Sequence, residues 1–169
     1  MIIPVTIKAF LPRVIAFAST LLVSFAVLNF LPSARVRRQT NFARAAADGN
    51  LKQMRLLHMA GVSVNSHGAC CSPLFLAAGE GRLDAVRYLL DQGADVNARE
   101  YGGRTALTEA AFSGNASVIK ELLLRGADMN AVSDAGTPLD VAMHTNNATA
   151  IYLLKHYGAK RSCELRGGC

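Results

Sequence analysis

Four stretches of this 169-residue chain open with the same kind of signal at nearly constant spacing: Thr40, Ser72, Thr105 and Thr137 lie 32, 33 and 32 residues apart. The clearest copy runs from Ser72 to Asn97. Ser72 can cap the free amides of a first helical turn, and Pro73 suits the next position, which needs no amide hydrogen bond. A short apolar helix through Leu74, Ala77 and Ala78 is broken by Gly81. A second helix then carries Leu83, Val86, Leu89 and Leu90 on one face, and Gly93 closes it. Thr105–Asn130 and Thr137–Lys160 repeat the plan, and Thr40–Asn65, with Gly49 and Gly61, is a weaker copy. One such helix pair has too little apolar area to fold alone. A fixed period of this size therefore predicts stacked helix-turn-helix units that share one continuous core.

These residues give the chain a clear likeness. Ser72-Pro73-Leu74, Ala77-Ala78, Gly81 and Gly93-Ala94-Asp95-Val96-Asn97, with Thr105, Ala110-Ala111, Gly114 and Gly126-Ala127-Asp128, resemble the ankyrin repeat. Thr137-Pro138-Leu139, Ala142 and Gly158-Ala159 match in the last unit, and the likeness covers roughly residues 40 to 160. It implies an all-α ankyrin-type solenoid of about four repeats that binds another protein. Where the family usually has His after the Leu of its Thr-Pro-Leu-His motif, this chain has Ala43, Phe75, Thr108 and Asp140, so a less regular array is expected. At the position of Leu90 and Leu123, the outer repeats have His58 and Lys155, which fits polar capping units.

The amino-terminal end is of another kind. Residues 14–34, between Arg13 and Arg35, carry no charge, and Val14–Leu31 is apolar except at Ser19, Thr20, Ser24 and Asn29. As a helix this stretch would span about 27 Å, near the minimum for a bilayer core. Residues 1–31 are read as a membrane anchor, single-pass, with 14–31 in the bilayer. The other reading is a secretory signal cleaved near Ser24-Phe25-Ala26, with Lys8 and Arg13 as its positive start. Residues 32–39 are read as a basic linker, 40–160 as the repeats and 161–169 as a cysteine-containing tail.

Charge follows the same division. Residues 1–38 hold five Lys or Arg and no acid, whereas the remainder holds 13 basic and 12 acidic residues. The near-neutral repeats show no basic stripe, so no nucleic-acid partner is expected. No phosphate loop, nucleophile elbow or His-Glu-x-x-His helix occurs, so neither an enzyme nor a cofactor is expected. His58, His67, His144 and His156 occupy non-equivalent positions. Asp95 and Asp128 suit turns that bond nearby amides. Of the four cysteines, Cys163 and Cys169 could close a small tail disulfide, while Cys70 and Cys71 read chiefly as thiols. A zinc site using His67 lacks paired Cys-x-x-Cys spacing. Asn115 and Asn147 fit glycosylation patterns, but both fall in tight turns.

Function is then argued from a surface. The resemblance implies a concave face built from loop tips and the ends of the first helices. Register by register this gives Glu80, Phe112, Ser113, His144 and Thr145, with Tyr101 and Arg104 from the loop. Tyr101, Arg104 and Phe112 are of types enriched at binding hot spots and fall in one repeat. Phe112 reads equally well as a side chain packed against a neighbouring helix. The favoured function is a non-enzymatic scaffold at a membrane that binds another protein. An exported repeat protein that binds or protects an enzyme stands as the second reading, and a redox or metal-handling protein using Cys70-Cys71 as the third.

Overall fold

The computed structural model describes residues 32–68 and 70–168. The repeats fall within one compact unit, residues 38–169. The apolar stretch 14–31, and with it the expected anchor, lies outside the described residues. Among the described residues no helix is long and apolar enough to cross a membrane.

The 32–39 stretch is not a linker in conformation. It opens a 17-residue helix, α1 (Pro32–Asp48), so Thr40 lies inside a helix and does not start one. The reason is local: between Pro32 and Thr40 there is no breaker, and Ala34, the arginines and Gln39 are good helix formers. The other three start signals work as read. Ser72 Oγ accepts from Phe75 N at 3.4 Å, Thr105 Oγ1 from Thr108 N at 3.3 Å, and Thr137 Oγ1 from Asp140 N at 3.3 Å. They head α3 (Pro73–Gly79), α5 (Ala106–Ser113) and α7 (Pro138–His144). Each first helix is followed by a second: α2 (Leu51–Met59) after α1, then α4 (Leu83–Asp91), α6 (Ala116–Leu124) and α8 (Ala148–His156). A single-turn helix, α9 (Ser162–Leu165), follows the last repeat. Among the described residues no strand forms; Ser133 and Gly136 make one isolated bridge.

Packing makes two layers. In the inner one α3 lies on α5 and α5 on α7; in the outer one α2, α4, α6 and α8 follow one another. Alanine pairs let the inner helices approach closely: Ala77-Ala78 and Ala110-Ala111 are fully buried, as is Ala142. Large side chains fill the space between layers, among them Leu89, Leu107, Ile119, Leu122, Leu139 and Leu154. One cluster joins these residues from Phe42 to Ala159, so no repeat holds a core of its own.

The loop tips are tied by asparagines that recur with the period. Asn65 Oδ1 accepts from Asp95 N at 2.9 Å, Asn97 Oδ1 from Asp128 N at 2.8 Å, and Asn130 Oδ1 from Lys160 N at 2.8 Å. Each link crosses to the next repeat. Asp95 and Asp128 close their own turns, each accepting from the amide two residues on at 2.9 Å.

The turn inside each repeat needs a left-handed residue, supplied by Gly49, Gly81 and Gly114 and, in the last repeat, by Asn146 at φ 53°. At Gly114 a methyl group would also meet the side chain of Asn147, whose Oδ1 caps α8 through Ala150 N. Gly126 has a similar φ but open space around it. Gly126→Ala should therefore lose about 1 kcal/mol from backbone strain alone, and Gly114→Ala measurably more. Urea titration of both variants decides this; equal losses would mean that the Asn147 contact relaxes without cost.

Candidate protein-binding groove

Arg104 leaves a braced loop. A turn of 3-10 helix, Tyr101–Gly103, precedes it, and Asp134 N donates to Gly102 O at 2.9 Å while Arg99 Nη1 donates to Val132 O at 2.9 Å. This bracing sends the Arg104 side chain over α3 and α5. Its guanidinium carbon lies 5.5 Å from the Phe75 ring centre and 5.7 Å from that of Phe112, between two aromatic faces. Its Nη2 is ion-paired with Glu109, which is mostly buried. Room for that carboxylate comes from Gly79, where a Cβ would stand 2.9 Å from Glu109 Cγ.

The stack forms one wall of a groove of about 300 Å³. Arg104, Glu109 and Phe112 face Ala135, the α7 residues Val141 and His144, and Thr145 just beyond α7 across it. Phe112 is 53% exposed, so its ring belongs to the surface and not to the core. Of the residues expected on the binding face, Arg104, Phe112, His144 and Thr145 come together here. Glu80 sits exposed at the end of α3, Tyr101 stands 96% exposed at the loop tip, and Ser113 turns back to donate to Glu109 O at 3.1 Å. Glu109, Ala135 and Val141 were missed. An acid five residues beyond Arg104, across a helix start, was the available signal for Glu109.

Three of the four departures from the family's His position are compensated, while Ala43 lies inside α1, where no helix starts. Thr108 and Asp140 restore reciprocal capping, their side-chain oxygens accepting from Thr105 N at 3.4 Å and Thr137 N at 3.1 Å. Phe75 cannot, and there Glu100 of the following loop accepts from Ser72 N at 2.9 Å.

The thiol reading fares differently. Cys70 and Cys71 are free thiols. Burial first, then the hydrogen bond and charge of Cys70 and the carboxylates of Glu100 and Glu109, push the Cys71 thiol up to about 12. That is the opposite of the lowered value a reactive thiol requires. His67 Nε2 lies 3.7 Å from Glu100 Oε2, and among the described residues no three His, Cys, Asp or Glu side chains gather to hold a metal. The expected tail disulfide involves Cys169, outside the described residues.

Comparison with known proteins places these features. The family description "Ankyrin repeats (3 copies)" matches residues 42–133. The probable E3 ubiquitin-protein ligase XBOS33 of Oryza sativa subsp. japonica is 43% identical over 74 residues, 42% of this chain and 14% of its own length. The E3 ubiquitin-protein ligase XBAT33 of Arabidopsis thaliana is 39% identical over 74 residues, again 42% of this chain and 14% of its own. The chain thus spans about one-seventh of the length of these relatives. Their names overturn the expectation that no enzyme is concerned: both are named as ligases, which are enzymes, although the likeness is confined to the ankyrin region. Absence of a reaction centre from a repeat array was the wrong ground for that exclusion, because recognition and chemistry can reside in different parts of one protein. With matched repeats over more than half its length and three helix pairs in the stacked arrangement they require, the chain belongs to the ankyrin repeat family.

Proposed function

We propose that the chain is a protein-recognition module, gripping a partner polypeptide in the groove between its third and fourth repeats and held at a membrane by residues 14–31. The observation that carries the reading is the half-exposed Phe112, a large apolar ring at the groove wall beside Arg104. Aromatic and arginine anchors of this kind contribute most of the free energy at interfaces, provided a partner desolvates them. The relatives named as E3 ubiquitin-protein ligases suggest the setting: the partner is a protein that a ubiquitin ligase handles. The uncharged run 14–31 supports the membrane attachment.

Phe112→Ala is the test. Since only about half of the ring is buried in the free protein, melting temperature should fall by several degrees at most with folding still cooperative, while retention of a partner cross-linked in cells drops at least tenfold. A fall of well over about 10 °C, the size expected for a fully buried Phe, would make Phe112 a core residue. Undiminished retention would move the binding surface elsewhere.

A further inference from the structure

The groove's own hydrogen-bonding state bears on what kind of polypeptide enters it. Thr145 Oγ1 donates backward to Val141 O at 3.1 Å, and Ser113 Oγ to Glu109 O, so these hydroxyl protons are consumed within their helices. Arg104 is the contrary case. Glu109 engages Nη2, while Nε and Nη1 make no hydrogen bond among the described residues. The Phe75 and Phe112 rings flank the guanidinium carbon at 5.5 and 5.7 Å, in the wall of a groove whose far side is Ala135, Val141, His144 and Thr145. A flanked guanidinium with Nε and Nη1 still to be satisfied can take a carboxylate by two parallel hydrogen bonds.

From this we infer that the groove takes a segment of the partner in which a bulky aliphatic or aromatic side chain stands beside a carboxylate. The apolar side chain fills the space between Phe112 and Val141. The carboxylate, from Asp, Glu or a chain end, joins Glu109 on the Arg104 guanidinium. Positive charge on the occupant is disfavoured, because the Glu109 carboxylate is already engaged by Arg104 while Arg104 Nε and Nη1 are left to be satisfied. This rests on the groove being the recognition site, and deepens that reading by naming the chemistry recognised.

The experiment uses the full chain in detergent micelles and two short fluorescent peptides, one with a central Leu flanked by Glu, the other with the same Leu flanked by Lys. Fluorescence polarisation should show the acidic peptide binding at least about tenfold tighter. Arg104→Lys, which keeps the charge and loses the planar fork, should erase most of that preference. Glu109→Gln decides between the signs of charge. Removing the competing carboxylate should tighten the acidic peptide several-fold, whereas a groove that takes cations through Glu109 would lose affinity. Equal or tighter binding of the Lys peptide overturns the inference and leaves the recognition site standing, provided Phe112→Ala still weakens it. Failure of both peptides to bind also overturns the inference. If Phe112→Ala then leaves partner retention in cells unchanged, the recognition site itself is overturned.

Discussion

Ile119→Asp should abolish cooperative folding of the repeats. Ile119 lies on α6 in the middle of the outer layer and has no exposed surface. Replacing it removes a buried branched side chain, worth about 2–5 kcal/mol with the cavity left behind. It also puts a carboxyl into the shared hydrophobic cluster, so the group is either desolvated or protonated, each at further cost. Together these exceed about 5 kcal/mol, the lower end of the total stability of an ordinary domain. Stacked repeats depend on their neighbours, and loss of the third would separate the second from the fourth. Far-ultraviolet circular dichroism should show reduced helix at 25 °C and no sharp melting. Lys120→Asp, next in sequence but exposed, serves as the control and should melt near the parent temperature. A cooperative transition for Ile119→Asp within a few degrees of the parent would mean that the shared core is not what holds the stack.

What could be read from the sequence followed the range over which each signal acts. Caps and turn glycines act within a few residues. Ser72, Thr105 and Thr137 therefore marked true helix starts, and the period carried the pairing of helices with it. Thr40 failed for the same local reason: a cap residue ends nothing unless the residues before it leave the helix, and Pro32 to Gln39 do not. Asn146 hid the fourth left-handed turn because asparagine, unlike glycine, has many other roles. The polar end units were half right. Lys155 is exposed, but His58 turns back, its Nδ1 lying 3.0 Å from Val62 O and its ring 6.4 Å edge-on from Tyr88. Contacts between repeats were beyond reach. Glu121 looked like one scattered acid, yet it is nearly buried and bridges Arg87 and Arg125 at 3.0 Å each, joining the second and third repeats. In the groove, residue type singled out Arg104 and Phe112, but their stacking depends on how far α3 and α5 approach, and only packing sets that.

Asp140→Asn should loosen the carboxyl end of the stack and flatten its response to acid. Asp140 stands where the family usually carries His, and its carboxylate gathers donors from two directions. Within its own cap it accepts from Thr137 N at 3.1 Å and Thr137 Oγ1 at 3.0 Å. From beyond the repeat come Arg161 Nε at 3.1 Å and Ser162 N at 2.8 Å, which fasten α9 onto the last inner helix. Burial alone would raise the Asp140 pKa. The hydrogen bonds from Ser162, Thr137 and Arg161 outweigh it and hold the group well below the usual carboxylate range. A depressed folded value means that the unfolded chain takes up this proton first. Its stabilisation is therefore complete above about pH 4, the ordinary value for Asp, and is lost as pH falls from there toward the folded value. The Asn variant keeps the shape but not the charge, and at neutral pH should lose about 2–3 kcal/mol, with Arg161 left without its partner. Because other carboxylates also titrate in acid, the quantity to follow is the stability difference between parent and variant. That difference should be constant from about pH 7 to 5 and shrink progressively below about pH 4. A difference that stays constant down to pH 2, or grows, would mean that the Asp140 carboxylate does not anchor the tail.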